Sequence, residues 1–141
     1  MSADATNVGM PADEIVAWFA AHFPSFRKVM RLESVDAGQA RMRWLVGDQH
    51  LRPGGTVFGP SMMTLADSAA YAAIIAADRE CANAVTSNFN ISFLRRPPPC
   101  DLIADAELLK RGRRLLVGEV RIYSAETMKI VAHATVTYAR P

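Results

Sequence analysis

The sequence predicts an α+β fold in which an antiparallel sheet lies over one long central helix. Three observations carry that expectation. Residues 61–77 are apolar on every side, rich in Ala, Leu and Met, and interrupted by a single charge, Asp67; such a run reads as a buried helix. Two stretches of extended character precede it and four follow. Short polar turns join most of these stretches in pairs, which favours antiparallel neighbours.

The 141 residues are enough for one core, and 50% hydrophobic with 21% charged is ordinary folded composition. A net charge of +2 and the lack of any RNA- or DNA-binding motif argue against a nucleic-acid partner. Cys81 and Cys100 are isolated, with neither zinc-ligand spacing nor a disulfide framework, so no metal is expected. Residues 1–10 lack the basic region and apolar core of a signal peptide. Asp67 near the middle of the central run argues for a buried helix over a membrane span, and the expected location is cytoplasmic.

In chain order, residues 1–10 read as a flexible tail and 11–141 as a single domain. From Pro11, the spacing of Ile15, Val16, Trp18, Phe19 and Phe23 predicts a short amphipathic helix, opened by Asp13-Glu14 and stopped at Pro24. The period then changes to two. Residues 29–36 and 39–46 read as strands around the turn Asp36-Ala37-Gly38; in the second, Ala40, Met42, Trp44 and Val46 alternate with Arg41 and Arg43. A Pro/Gly-rich loop from His50 leads into the central helix, expected over residues 61–78, with Pro60 suited to its first position. A helix apolar all round needs cover on all sides, more than one sheet gives, so a second subunit is expected.

Four strands follow, over residues 82–94, 101–109, 115–123 and 128–138. The first ends at the stiff corner Arg95-Arg96-Pro97-Pro98-Pro99. Residues 110–113 form a tight hairpin turn in which Gly112 is free to take positive φ. Leu102, Ala104, Ala106 and Leu108 share one face, as do Ile130, Ala132, Ala134, Val136 and Tyr138.

Asp67 is the main functional signal, because an ionised carboxylate among apolar side chains is costly unless it is paired or used. A structural carboxylate, capping a neighbour or paired with Arg52, is the competing reading. His50 reads more readily as a solvated or loop-bracing histidine than as a catalytic imidazole. Gly54, Gly55 and Gly59 read as turn glycines that also permit close approach of a ligand. Ser68 could assist Asp67, although Ser in a helix commonly bonds its own backbone.

In order and spacing, the chain from about the first strand to its C-terminus resembles the hotdog-fold acyl-CoA thioesterases of the PaaI-like branch. That family carries His-x-Asn-x-x-Gly-x-x-His-Gly-Gly, then four residues and Leu-x-Asp. His50, Gly55, Gly59, Leu65 and Asp67 match this pattern. Arg52 stands in place of the Asn, Phe58 in place of the second His, and Pro60 in place of the last Gly. Asn90 to Arg95 and the Gly112-Arg113 turn also resemble the family's later strands.

The resemblance implies a hotdog fold, the sheet wrapped around the central helix, and hydrolysis of acyl-CoA thioesters to free acid and CoA. Asp67 would be nucleophile or general base, and a backbone N–H near the helix start would polarise the thioester carbonyl. Pro60 has no N–H, which leaves Gly59 or Ser61. The implied substrate-binding residues are His50, Arg52, Gly55, Phe58, Ser68, Arg95, Arg96 and Arg113, the arginines suiting the phosphates of coenzyme A. Coenzyme A enters as part of the substrate, with no metal or redox cofactor. A homodimer or homotetramer with sites at subunit interfaces is implied. Phe58 and Pro60 keep open a catalytically weak acyl-CoA-binding protein. A hotdog enoyl-CoA hydratase is a third reading, although such enzymes pair His and Asp in another motif context.

Overall fold

A computed structural model describes residues 8–141. Helix α1 (Ala12–His22) is followed by strands β1 (Met30–Asp36) and β2 (Gln39–Trp44). A two-stranded ribbon, β3 (Leu51–Arg52) and β4 (Thr56–Val57), then leads into α2 (Gly59–Ala77). Strands β5 (Val85–Phe93), β6 (Leu102–Arg111), β7 (Leu115–Ser124) and β8 (Ile130–Ala139) complete the chain. The main sheet has the order β1-β2-β6-β7-β8-β5, with every neighbouring pair antiparallel. It wraps α2, which touches all six strands, so the architecture is the expected hotdog-like α+β fold.

Alternation explains the wrapping. Leu116, Val120 and Ile122 of β7, and Ala132, Ala134 and Val136 of β8, are fully buried against α2. Alanines at 69, 70, 72, 73 and 76 keep the helix slim where it meets them. The opposite face of the sheet is polar: Arg41 bonds Asp105 bidentately at 2.7 and 2.8 Å, and Arg121 and His133 flank Glu119.

Several boundaries move for identifiable reasons. The helix starts at Gly59, two residues earlier than expected, and Pro60 still lies in its first turn. Strand β2 stops at Trp44 because the Val46 N–H donates to the Asp101 carboxylate, outside the ladder. Strand β5 starts at Val85, after a 3-10 turn over Arg79–Asn83 whose Glu80 N–H is capped by Asp78. Strand β8 starts at Ile130 because Met128 takes a left-handed φ of 57°. The expected positive φ at Gly112 is absent; β6 runs on to Arg111, and the glycine serves close approach instead. A Cβ there would lie 2.5 Å from the Leu115 carbonyl oxygen, which accepts the Gly112 N–H at 2.9 Å.

Burial of α2 also departs from expectation. One chain buries thirteen of its nineteen residues, because α1 and residues 8–10 cover what the sheet leaves. Ile15 and Phe19 of α1 turn inward, whereas Val16, one residue off that stripe, is 53% exposed. The Met10 N–H donates to Ile75 O at 2.8 Å and Met10 is buried. The expected flexible tail is therefore packed at residues 8–10; residues 1–7 lie outside the described residues. An outward stripe of Pro60, Met63, Thr64 and Asp67 remains on α2. No helix among the described residues is long and apolar enough to cross a membrane.

Candidate active site

The loop before α2 is braced by local hydrogen bonds. The Gly47 N–H donates to His50 Nδ1 at 2.9 Å, and the Phe58 N–H donates to His50 O at 2.7 Å. The His50 ring stands edge-on to Trp44 at 5.1 Å. His50 therefore does the work of a loop brace, with Nδ1 as acceptor. Gly54 and Gly55 form the turn between β3 and β4 at φ of 97° and 74°, a region that favours glycine. Gly55 faces open space, whereas a Cβ on Gly54 would lie 2.9 Å from the Arg96 guanidinium.

These pieces frame a cleft of about 710 Å³ over the start of α2, lined among others by Arg52, Phe58, Gly59, Phe93 and Arg96. Thr56 closes one side by donating its hydroxyl to Pro97 O at 3.1 Å. Arg95 borders the cleft, but its guanidinium donates to Ile130 O at 2.8 Å. The first turn of a helix leaves N–H groups without intrahelical partners. Here the Ser61 N–H donates to Phe58 O at 3.1 Å and Pro60 has none. Of the two candidate donors, only the Gly59 N–H finds no acceptor among the described residues.

Asp67 lies two turns along α2, partly exposed on the outward stripe rather than enclosed. The pairing with Arg52 that the competing reading requires is absent; Arg52 belongs to the cleft at the helix start. Two hydroxyls hold the carboxylate instead. Tyr138 donates to Oδ1 at 2.8 Å and Thr86 to the same oxygen at 2.9 Å. Oδ2 has no protein partner among the described residues. Burial first, and then the Asp67 charge, push the Tyr138 phenol far above its ordinary range, so it stays protonated and donates. Asp67 separates two hollows that share Ser68. One, of about 420 Å³, is open and lined by Met63, Thr64 and Phe89; the other, of about 320 Å³, runs under α1.

The sequence alone does not single out Tyr138 and Thr86 as site residues. They are direct partners in the register of β5 and β8, far apart in the chain. The one sequence signal is a tyrosine on an otherwise apolar strand face, since a buried phenol needs a hydrogen-bond partner.

Some expected residues are not brought together. Gly59 and Asp67 are eight residues apart on one helix, about 12 Å at 1.5 Å per residue. One thioester cannot contact both within a single chain. Arg113 sits in the hairpin after β6, at the far end of the sheet from the corner holding Arg95 and Arg96. A ten-residue strand, roughly 30 Å long, separates them.

A family model described as the thioesterase superfamily matches residues 54–131, from the β3–β4 turn into β8. A crystal structure of a candidate thioesterase from a Silicibacter species is 36% identical and superposes with a TM-score of 0.83, covering 96% of this chain and 95% of that one. The phenylacetic acid degradation protein PaaI of Thermus thermophilus, solved as a mutant, is 24% identical with a TM-score of 0.72, over 84% of this chain and 99% of that one. A Streptococcus mutans protein, solved bound to acetyl CoA, is 24% identical with a TM-score of 0.71, over 79% of this chain and 88% of that one. Among curated proteins none matches the chain.

Proposed function

Because the chain belongs to the thioesterase superfamily, we propose that it hydrolyses acyl-CoA thioesters with Asp67 as nucleophile or general base. One observation carries this reading. Asp67 lines two hollows and is held through Oδ1 by two neutral hydroxyls, while Oδ2 has no protein partner among the described residues. As a base, Oδ2 takes a proton from water; the hydroxide adds to the thioester carbon, the C–S bond breaks, and the thiolate leaves with the proton that Oδ2 took. As a nucleophile, Oδ2 adds to the same carbon and expels the thiolate, and water then cleaves the acyl-aspartyl anhydride. In both cases the carbonyl oxygen gains negative charge and needs a fixed donor.

The Gly59 N–H of a second copy is the donor that fits. Met63 lies midway between Gly59 and Asp67 on the outward stripe. A two-fold axis near Met63, with antiparallel helices, sets Gly59 of one copy beside Asp67 of the other. Two features favour such pairing. Met63 on the stripe and Phe58 beside it are 40% and 47% exposed, and β5 is a nine-residue edge strand with one unpaired side. Arg52 and Arg96 at the cleft rim suit the phosphates of coenzyme A. The acetyl-CoA bound by the S. mutans relative supports that substrate class.

A second reading, acyl-CoA binding with little turnover, is favoured by Pro60, which removes one N–H from the helix start. A panel of acyl-CoAs with free-thiol detection decides between them. Thiol release is the expected result; tight binding without it selects the second reading. Light scattering at micromolar concentration is expected to give a dimer or larger species. A fully stable monomer would overturn the shared site.

A further inference from the structure

Behind Asp67 lies a recess that the hydrolysis steps leave unused. Asp67 and Thr86 line it together with Phe19, Phe23, Tyr71 and Tyr138, around a volume of about 320 Å³. Tyr71 stacks on Tyr138 at 5.9 Å, and Phe19 and Phe23 meet Tyr71 at 5.7 and 6.0 Å. Part of the wall thus comes from the end of α1, outside the stretch that matches the family model.

The two phenols along these walls are already committed. Trp18 Nε1–H donates to Tyr71 OH at 2.8 Å, and that hydroxyl donates to Ala82 O at 2.6 Å. Tyr138 OH is taken up by Asp67. A group entering past the carboxylate meets ring faces and the small side chains of Ala82 and Ala84. An apolar cavity of about 150 Å³ holds one benzene.

We propose, resting on the thioester reading, that this recess is the acyl subsite and admits compact apolar acyl groups of roughly a dozen non-hydrogen atoms. Long chains overrun it, because about a dozen non-hydrogen atoms fill its volume. Polar tails lose there, because burial among ring faces strips a hydroxyl of its water.

The probes are S-alkyl-CoA thioethers, which cannot be hydrolysed, measured by calorimetry on the full chain. Between ethyl and hexyl, each methylene is expected to tighten binding about fourfold. The gain should stop near decyl, with hexadecyl no better. A terminal hydroxyl on the hexyl chain should weaken binding by about tenfold. Phe23→Ala should move the break to longer chains; Phe23→Leu gives the same shift at smaller size should the alanine variant not fold.

Binding that ignores chain length, continues to tighten to hexadecyl, or keeps its break in a folded Phe23 variant overturns the subsite. The hydrolysis reading fails separately, through acyl-CoAs of the favoured length that bind and release no thiol. A length break in thioether binding would then still stand for the recess.

Discussion

Asp67 and Asp78 stand at the middle and the end of the same helix, and their surroundings are opposite. Asp78 is 3% exposed, and its Oδ2 accepts from Arg111 at 3.2 Å and Arg140 at 3.1 Å. Its Oδ1 accepts the Glu80 N–H at 3.0 Å. Burial resists the Asp78 charge, but the bonds from Arg140, Glu80 N–H and Arg111 outweigh it and hold the carboxyl below its ordinary range. Asp67 is partly exposed, has no cationic partner among the described residues, and uses one oxygen for two neutral donors. A carboxylate with both oxygens bonded and two arginines on it fastens elements together. One held by neutral groups through a single oxygen leaves the other free for the proposed hydrolysis.

Exchanging each carboxylate for an amide breaks or sharpens this contrast. Asp67→Asn is expected to lower kcat by about a thousandfold or more with fold and assembly kept, read by thiol release. A folded variant near the wild-type rate ends the catalytic assignment. Asp78→Asn should show the reverse split. Its arginine partners are partly exposed, so the loss sits below the fully buried range, about 2 kcal/mol by denaturant melt, with kcat little changed.

The pH dependence of stability follows from the same group. The Asp78 carboxyl is lowered on folding, so its contribution is complete above the unfolded value, about 4, and is lost as pH falls through the folded value. Wild type should lose stability in acid more steeply than Asp78→Asn. Parallel curves would show that Asp78 contributes no such linkage.

Smaller effects test the grip on Asp67. Tyr138→Phe should lower kcat about tenfold with KM nearly unchanged, the sign of a positioning residue. Thr86→Ser, which keeps a hydroxyl, should stay near wild type where Thr86→Val does not. Equal loss in both Thr86 variants would mean that packing, not the donated proton, matters there. Smallest is Pro60→Gly, expected to cost about 0.4–1 kcal/mol of stability through the unfolded chain and to leave the rate unchanged. A rate gain of about a hundredfold would mean that the native helix start lacks a needed donor, which favours the binding reading.

Periodicity made the two helices and six main strands legible, because burial on one face writes itself into the sequence at fixed spacing. Asp67 was legible as a lone charge in an apolar run. Its partial exposure was not, because residues 8–10 and α1 leave uncovered a stripe that only packing defines. Thr86 and Tyr138 were hidden because they meet Asp67 through the register of two strands that lie far apart in the chain. Gly112 looked like a left-handed turn residue, yet the carbonyl crowding it became visible only once β6 had its full length. Arg113 resembled a phosphate ligand by type, while its distance from Arg96 is a matter of topology.

The strand order has a consequence for how fast the chain finds its structure. Strands β6, β7 and β8 follow one another through short turns and pair as neighbours, but β2 and β6 enclose the ribbon, α2 and β5 between them. Trp44 must find Leu102 only after that whole loop has closed, and non-local closure slows folding. The β6–β8 meander is then expected to be formed in the rate-limiting state, with the β1–β2 hairpin docking afterwards. Val120→Ala in the meander should mainly slow refolding, whereas Met42→Ala in the hairpin should mainly speed unfolding. The helix that carries Asp67 would in that case gain its last wall only at the end of folding.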